Sequence, residues 1–246
     1  MDLAMASRAR RLPRRLLVEP RRPARVRTSP SAAWYVVAAV SVGAFMGQLD
    51  ASIALVALPR ISSDFGASVS SAQWVSLSYL LVLACTLVPI GHLADRWGRK
   101  LLYMYGFAVF TAASAVCALA PTLGWLIAAR VVQALGAAML QANSVALIRE
   151  ALPNRSLGRG IGLQGAAQAL GLAAGPAIGG VVLALGGWRL LFLVNLPAGC
   201  LGITLGWLLL PPDSESFCRA ELGTMVRGPR GMDSSGPFSP TIAGPS

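Results

Sequence analysis

Three polar side chains stand inside long apolar stretches, and their types fit them to hold or move a proton. Asp50 sits in Ala33–Leu58, while Arg130 and Gln133 sit one turn apart in Leu123–Ile148. Asp50 lies about eight residues before the outer end of its stretch, roughly 12 Å along a helix rising about 1.5 Å per residue. Arg130 lies about seven residues into its own stretch from that side, a comparable depth of roughly 10 Å. An isolated carboxylate at that depth is costly, so Asp50 must be protonated, paired or facing water, and Arg130 is the partner within reach. The chemistry implied is reversible protonation. Arg130 opposes protonation of Asp50 and desolvation favours it, so the carboxyl is poised between its two states. Gln133 would hold the guanidinium or touch a bound molecule. The alternative is a static ion pair that only fixes helix packing.

A second cluster is the run Gly91-His92-Leu93-Ala94-Asp95-Arg96-Trp97-Gly98-Arg99-Lys100, a small-residue helix end leading into a turn dense in charge. Gly91 and Gly98 would permit close helix approach and a sharp reversal. Asp95 would accept hydrogen bonds from a helix N-terminus, and Arg96, Arg99 and Lys100 would anchor at the level of lipid phosphates. An ordinary basic loop is the plainer alternative. A third feature is the small-residue stretch that holds Gly162, Gly171, Gly175, Pro176, Gly179 and Gly180. Its later glycines recur at spacings that line one helix face and let another helix approach, and Pro176 would kink the chain beside them. A plain packing face would look similar.

The elements that must position these groups follow from hydropathy. Apolar residues make up 55% of the chain and charged ones 13%, and the apolar residues come in long blocks. A helix needs about 20 apolar residues to cross a bilayer core of roughly 30 Å while bonding its own backbone. Six stretches qualify: Ala33–Leu58, Gln73–Leu93, Leu101–Ala120, Leu123–Ile148, Ile161–Leu185 and Leu190–Leu210. The expected fold class is therefore all-α, a polytopic membrane protein with a six-transmembrane-helix bundle over residues 33–210. Residues 1–32 read as a basic, disordered arm and residues 211–246, rich in Ser, Gly and Pro, as a disordered tail. The connectors Pro59–Ala72, Ala94–Lys100, Pro121–Thr122, Arg149–Gly160 and Gly186–Arg189 are too short for a soluble domain.

The formal net charge of +11 reflects membrane orientation rather than nucleic-acid binding. Arg8–Arg27 holds nine arginines against one glutamate, and further basic residues fall at Arg96, Arg99 and Lys100 and at Arg149, Arg155 and Arg159. In a six-span chain all of these lie on one side. The opposite loops offer only Arg60 and Arg189, so the positive-inside rule places both termini in the cytoplasm. The Arg-rich start also fits a transit peptide or a tail lying on anionic lipid.

Enzymatic readings find little footing. Cys85, Cys117, Cys200 and Cys218 lack metal-ligand spacing and read as packing residues. His92 is the only histidine and reads as a loop residue at the membrane surface, so no histidine-pair zinc site or catalytic triad can be drawn. Gly160-Ile161-Gly162-Leu163-Gln164-Gly165 matches a dinucleotide-binding pattern without the strand or the following acidic residue that the pattern requires. Asn154-Arg155-Ser156 is a formal glycosylation site on the wrong side of the membrane. No cofactor or metal is expected.

The run from Gly91 to Lys100 resembles the signature loop of the major facilitator superfamily, G-x-L-a-D-R-x-G-r-k between spans two and three. Three further segments resemble the drug:proton antiporters of that superfamily, in particular those with fourteen spans. Leu49-Asp50-Ala51-Ser52-Ile53-Ala54-Leu55-Val56-Ala57-Leu58-Pro59 resembles the first-span motif, and Arg130 to Ala138 the fourth-span motif. Gly162, Gly171 and Gly175 to Gly180 resemble the fifth-span antiporter motif, and Trp188 to Pro197 fits the sixth span. The chain departs at Ser52, Leu55 and Ala134, where threonine, asparagine and glycine are usual. Losing the asparagine removes a polar contact in span one. The resemblance implies proton-coupled efflux of drug-like or cationic small molecules across the cell membrane, with Asp50, Arg130 and Gln133 on the proton and substrate pathway. Superfamily members pair two six-span halves around the cargo, and this chain reads as the N-terminal half. Its second half would come from another chain, a second copy, or sequence beyond this one. The alternative is a truncated, non-transporting module that associates with other membrane proteins.

Overall fold

The computed structural model describes residues 32–210. In that region the helices are α1 (Ala32–Asp64), α2 (Val69–Trp97), α3 (Arg99–Ala118), α4 (Leu123–Ala151), α5 (Asn154–Gly186), α6 (Trp188–Leu193) and α7 (Asn195–Leu209). α6 and α7 form one jointed span, Trp188–Leu209, giving six segments long and apolar enough to cross a membrane. The described residues contain no strand, and the architecture is the all-α six-span bundle that the apolar stretches require. The basic arm, the tail after Leu210 and Cys218 lie outside the described residues.

The helices run further than the apolar stretches, and most connectors shrink. α1 continues past Leu58, through Pro59, to Asp64. Proline removes only its own N–H bond and the ring's clash is local. The overrun is held by an Arg60–Asp64 pair one turn apart (3.3 Å) and by Trp188 Nε1, which donates to Asp64 Oδ2 (2.9 Å). The connector expected from Pro59 reduces to residues 65–68, and Ser68 caps α2 by accepting from the Ser71 N–H at 3.2 Å. Between α2 and α3 only Gly98 is non-helical, at φ +106°, a conformation that L side chains rarely adopt. His92 consequently sits exposed on α2 rather than in a loop. Gly160 to Gly165, the stretch with the dinucleotide-like spacing, lies wholly within α5.

Packing sorts the spans. α1 makes its most extensive contact with α5, and α3 with α4. One apolar cluster gathers Val36, Val40, Met46, Phe107, Phe110 and Leu147. The other gathers Ile53, Ala57, Val75, Leu126, Trp188 and Phe192. Along α4, Leu126 and Ala129 belong to the second cluster and Ala134 and Ala137 to the first, so Arg130 and Gln133 fall at the junction. In lipid, helix association rests on such close packing and on hydrogen bonds between helices rather than on a hydrophobic drive. α2 and α5 leave most of their apolar surface uncovered by the described residues.

Candidate functional site

Asp50 and Arg130 meet at the junction of the two apolar clusters. Counted from Asp64, Asp50 is about 21 Å from its helix end at about 1.5 Å per residue, rather than roughly 12 Å. Packing of the spans, not distance from helix ends, brings the two residues level. Arg130 Nη1 donates to Asp50 Oδ2 at 2.5 Å, and the residues are 0% and 3% exposed. Gln133, one turn along α4, clamps both partners. Its Oε1 accepts from Arg130 Nη1 at 2.7 Å and its Nε2 donates to Asp50 Oδ1 at 3.0 Å.

Other spans complete the surroundings. Arg130 Nε donates to the Val75 carbonyl of α2 at 3.3 Å, and the guanidinium lies over the Tyr79 ring at 4.2 Å. The Phe192 ring of α6 lies farther from it, at 5.6 Å. From α3, Ser114 Oγ accepts from Gln133 Nε2 at 2.7 Å, and Cys117 Sγ contacts Gln133 Oε1 at 3.7 Å. From α7, Asn195 Nδ2 donates to Asp50 Oδ1 at 2.6 Å. A buried ion pair repays its desolvation only when further hydrogen bonds satisfy its remaining atoms; the two amides and the Val75 carbonyl supply most of them, and the rings add cation–π contact. Among the described residues, Arg130 Nη2 and Asn195 Oδ1 are buried without a partner.

Asn195, Ser114, Tyr79 and the Val75 carbonyl are the members that sequence reasoning missed. Asn195 carried the clearest signal, a lone amide in an apolar span two residues before Pro197. Backbone carbonyls and ring faces carry none. Leu55, where the antiporter pattern has an asparagine, is exposed and off the network.

The loop residues divide. Gly98 makes the reversal, but a Cβ at Gly91 would meet nothing within 4 Å, so no helix among the described residues approaches closely there. Asp95 accepts from the Arg99 side chain at 2.8 Å. Arg99 also reaches Glu150 at the end of α4 (3.4 Å), while Arg96 is exposed. Lys100 turns inward rather than outward. It is 3% exposed and its Nζ donates to the Leu210 carbonyl at 3.0 Å, where the C-terminal end of α7 favours a cation.

The glycines of α5 also divide. A Cβ at Gly171 would press on the Phe45 carbonyl, one at Gly175 would overlap Ser52, and one at Gly179 would touch Val56 normally. All three face α1. Gly162 and Gly180 face open space, and α5 continues through Pro176. Ser52 Oγ donates to the Leu172 carbonyl at 2.9 Å, fastening the two helices two residues from Asp50. Of the cysteines, Cys117 is buried, whereas Cys85 and Cys200 are exposed on their spans and do not pack the core. No group of three or more His, Cys, Asp or Glu able to hold a metal occurs among the described residues.

A six-span helical bundle with a charged network sealed at its centre is a multi-pass membrane protein of the transporter kind. Residues 40–224 match the Major Facilitator Superfamily, and the chain belongs to that family. It is 38% identical to the riboflavin transporter RibZ of Clostridioides difficile (strain 630), over 72% of this chain and 39% of that protein. It is 34% identical to the tetracenomycin C resistance and export protein of Streptomyces glaucescens, over 82% and 36% of the two chains. The multidrug resistance protein Stp of Mycobacterium tuberculosis (strain CDC 1551 / Oshkosh) is 40% identical over 68% of this chain and 31% of its own. The chain thus spans between about a third and two fifths of these relatives' length. Among solved structures, a bacterial homologue of the human lysosomal transporter Spinster, inward-facing and occupied, superposes with a TM-score of 0.63 at 25% identity, over 79% of this chain and 48% of that one. These relatives and the family are transporters, not enzymes.

Proposed function

We propose that this chain supplies the N-terminal half of a proton-coupled exporter of drug-like or other small molecules, of the fourteen-span antiporter type, in the cell membrane with both termini cytoplasmic. Asp50 is the proton site, Arg130 its counter-ion and Gln133 the clamp that holds them in register. The observation that carries this reading is the fully buried Asp50–Arg130 pair, bracketed by the amides of Gln133 and Asn195. A carboxylate sealed this deep is retained where its charge is used. Export is supported by the names of two relatives, one of tetracenomycin C resistance and export and one of multidrug resistance. The Gly171–Gly175 face against α1 supplies the close packing on which one span moves over another. The link from Asp95 through Arg99 to Glu150 ties the cytoplasmic ends of α2, α3 and α4.

The test is proton release on addition of a lipophilic cationic dye such as ethidium to proteoliposomes carrying the chain with a trapped pH indicator. Release is expected from the unsubstituted chain and absent from Asp50→Asn. A full signal from Asp50→Asn removes Asp50 from the pathway.

A second reading, a non-transporting module that associates with another half-transporter or a second copy, is favoured by the uncovered faces of α2 and α5, where Leu80, Leu81, Val88, Leu170, Val181 and Leu185 are exposed. Under it the unsubstituted chain gives no dye-dependent proton signal but crosslinks to a partner in membranes.

A further inference from the structure

Asp50 has two chemically different oxygens. Oδ2 is held by the guanidinium of Arg130 at 2.5 Å. Oδ1 faces two neutral amides, Gln133 Nε2 at 3.0 Å and Asn195 Nδ2 at 2.6 Å. A proton arriving at Oδ2 would be set against a cationic donor, so Oδ1 is where it goes. There it creates a conflict, because a protonated Oδ1 is a donor and both of its neighbours already donate to it. One amide has to present its oxygen instead.

The two amides are not equally free to do so. Gln133 is engaged at both ends: Oε1 accepts from Arg130, and Nε2 also donates to Ser114 Oγ at 2.7 Å. Turning it over would set its nitrogen against the guanidinium. Asn195 is engaged at one end only. Its Nδ2 has a second, long contact with Ser114 at 3.4 Å, and its Oδ1 is buried with no partner among the described residues. A rotation of about 180° about χ2, a torsion with two broad and nearly equivalent states, brings that oxygen to Asp50 and gives up only the long Ser114 contact on its own side. The charged and titratable side chains around Asp50 are Arg130 from α4, Tyr79 from α2 and Cys117 from α3. α5 packs on α1 through glycines, and the sixth span brings the Phe192 ring and this one amide. Asn195 also opens α7, directly after the joint at Val194 and two residues before Pro197.

We propose that Asn195 is a positioning residue that reverses with each proton, donating to Asp50 while the carboxylate is charged and accepting from Oδ1 once it is protonated. The inference rests on Asp50 being the proton site. Its balance is simple: one proton adds to Oδ1, the carboxyl loses its charge, and a single hydrogen bond changes direction.

Infrared difference spectra of the full chain in lipid nanodiscs, taken across a pH titration, test both claims separately. A protonated-carboxyl C=O band that Asp50→Asn abolishes identifies Asp50. Labelling with side-chain ¹³C-asparagine should then shift an amide C=O band that rises and falls with the carboxyl band. Asn195→Leu should abolish that amide band and move the carboxyl band to higher wavenumber, because the O–H has lost its acceptor; Asn195→Ser, whose hydroxyl both donates and accepts, should move it less. If the carboxyl band is absent from the unsubstituted chain, the assignment of Asp50 fails and the inference with it. If it is present but the isotope label leaves the titrating bands unchanged, Asp50 stands and the role of Asn195 is overturned. The isotope arm needs no substitution, so poor folding of Asn195→Leu does not blunt it.

Discussion

Replacing Gly175 with alanine puts a methyl group where Ser52 already stands. The added Cβ would overlap both Oγ and Cβ of Ser52 and lie 3.2 Å from its backbone carbonyl carbon. Rotating the serine hydroxyl cannot clear its own Cβ, so α1 and α5 must separate. Overpacking of this kind costs about 1–3 kcal/mol. Separation also stretches the bond from Ser52 Oγ to the Leu172 carbonyl, worth about 1 kcal/mol. Alanine returns up to about 1 kcal/mol in helix propensity. The net expectation is a loss of about 2 kcal/mol, which for a chain of this size lowers the melting temperature by about 4–8 °C. Thermal unfolding of the purified protein in mild detergent measures it. Gly180→Ala, whose Cβ meets nothing within 4 Å, is the internal control and should melt at or above the parent temperature. Adding Ser52→Gly to Gly175→Ala should recover at least about 1 kcal/mol relative to additivity, because the clash and its relief share one site. A Gly175→Ala variant that melts with Gly180→Ala, or a double variant with no recovery, would refute the close approach of α1 and α5.

Gly98→Ala should cost about 1–3 kcal/mol in the same unfolding assay, since φ +106° strains any residue with a side chain. Lys100→Met should raise hydrogen exchange at the C-terminal end of α7, where the lysine holds the Leu210 carbonyl, while exchange in the first turns of α4 stays unchanged. Arg130→Lys keeps the charge but not the fork that reaches Asp50 and Val75 at once. It should therefore reduce cargo-induced proton release at least tenfold in vesicles, and parent-like release would make Arg130 a simple counter-charge. Asp95→Asn, by contrast, breaks a pair that is half exposed and should change stability by no more than about 1 kcal/mol.

The six spans were legible in the sequence because lipid imposes one severe requirement, an unbroken apolar helix about 20 residues long. The ends were not, because hydropathy stops at the first charge whereas helical hydrogen bonding does not. Arg60 and Asp64 are polar and helical at once. Asp50, Arg130 and Gln133 were legible as costly groups in an apolar setting. Asn195 was equally visible but drew no such inference, because no charged residue stands one turn from it in the sequence as Arg130 does from Gln133. The inward contact of Lys100 was not legible, because a basic residue in a short loop normally faces phosphates and the carbonyl it meets, that of Leu210, lies across the bundle. That pairing has no local signature.

The network also explains why α5 contributes no side chain to it. α1, α3, α4 and α7 supply the hydrogen-bonding side chains, and α2 and α6 bring ring faces to Arg130. None of the hydrogen bonds described there comes from α5. That span touches α1 instead, through Gly171 and Gly175, on either side of the Ser52–Leu172 bond. A helix bonded into the network could not slide without breaking it. One that meets α1 through glycine and a single hydroxyl can shift against it at the cost of that one bond. The packing face and the buried ion pair thus share α1 but no side chain, Ser52 serving the first and Asp50 the second.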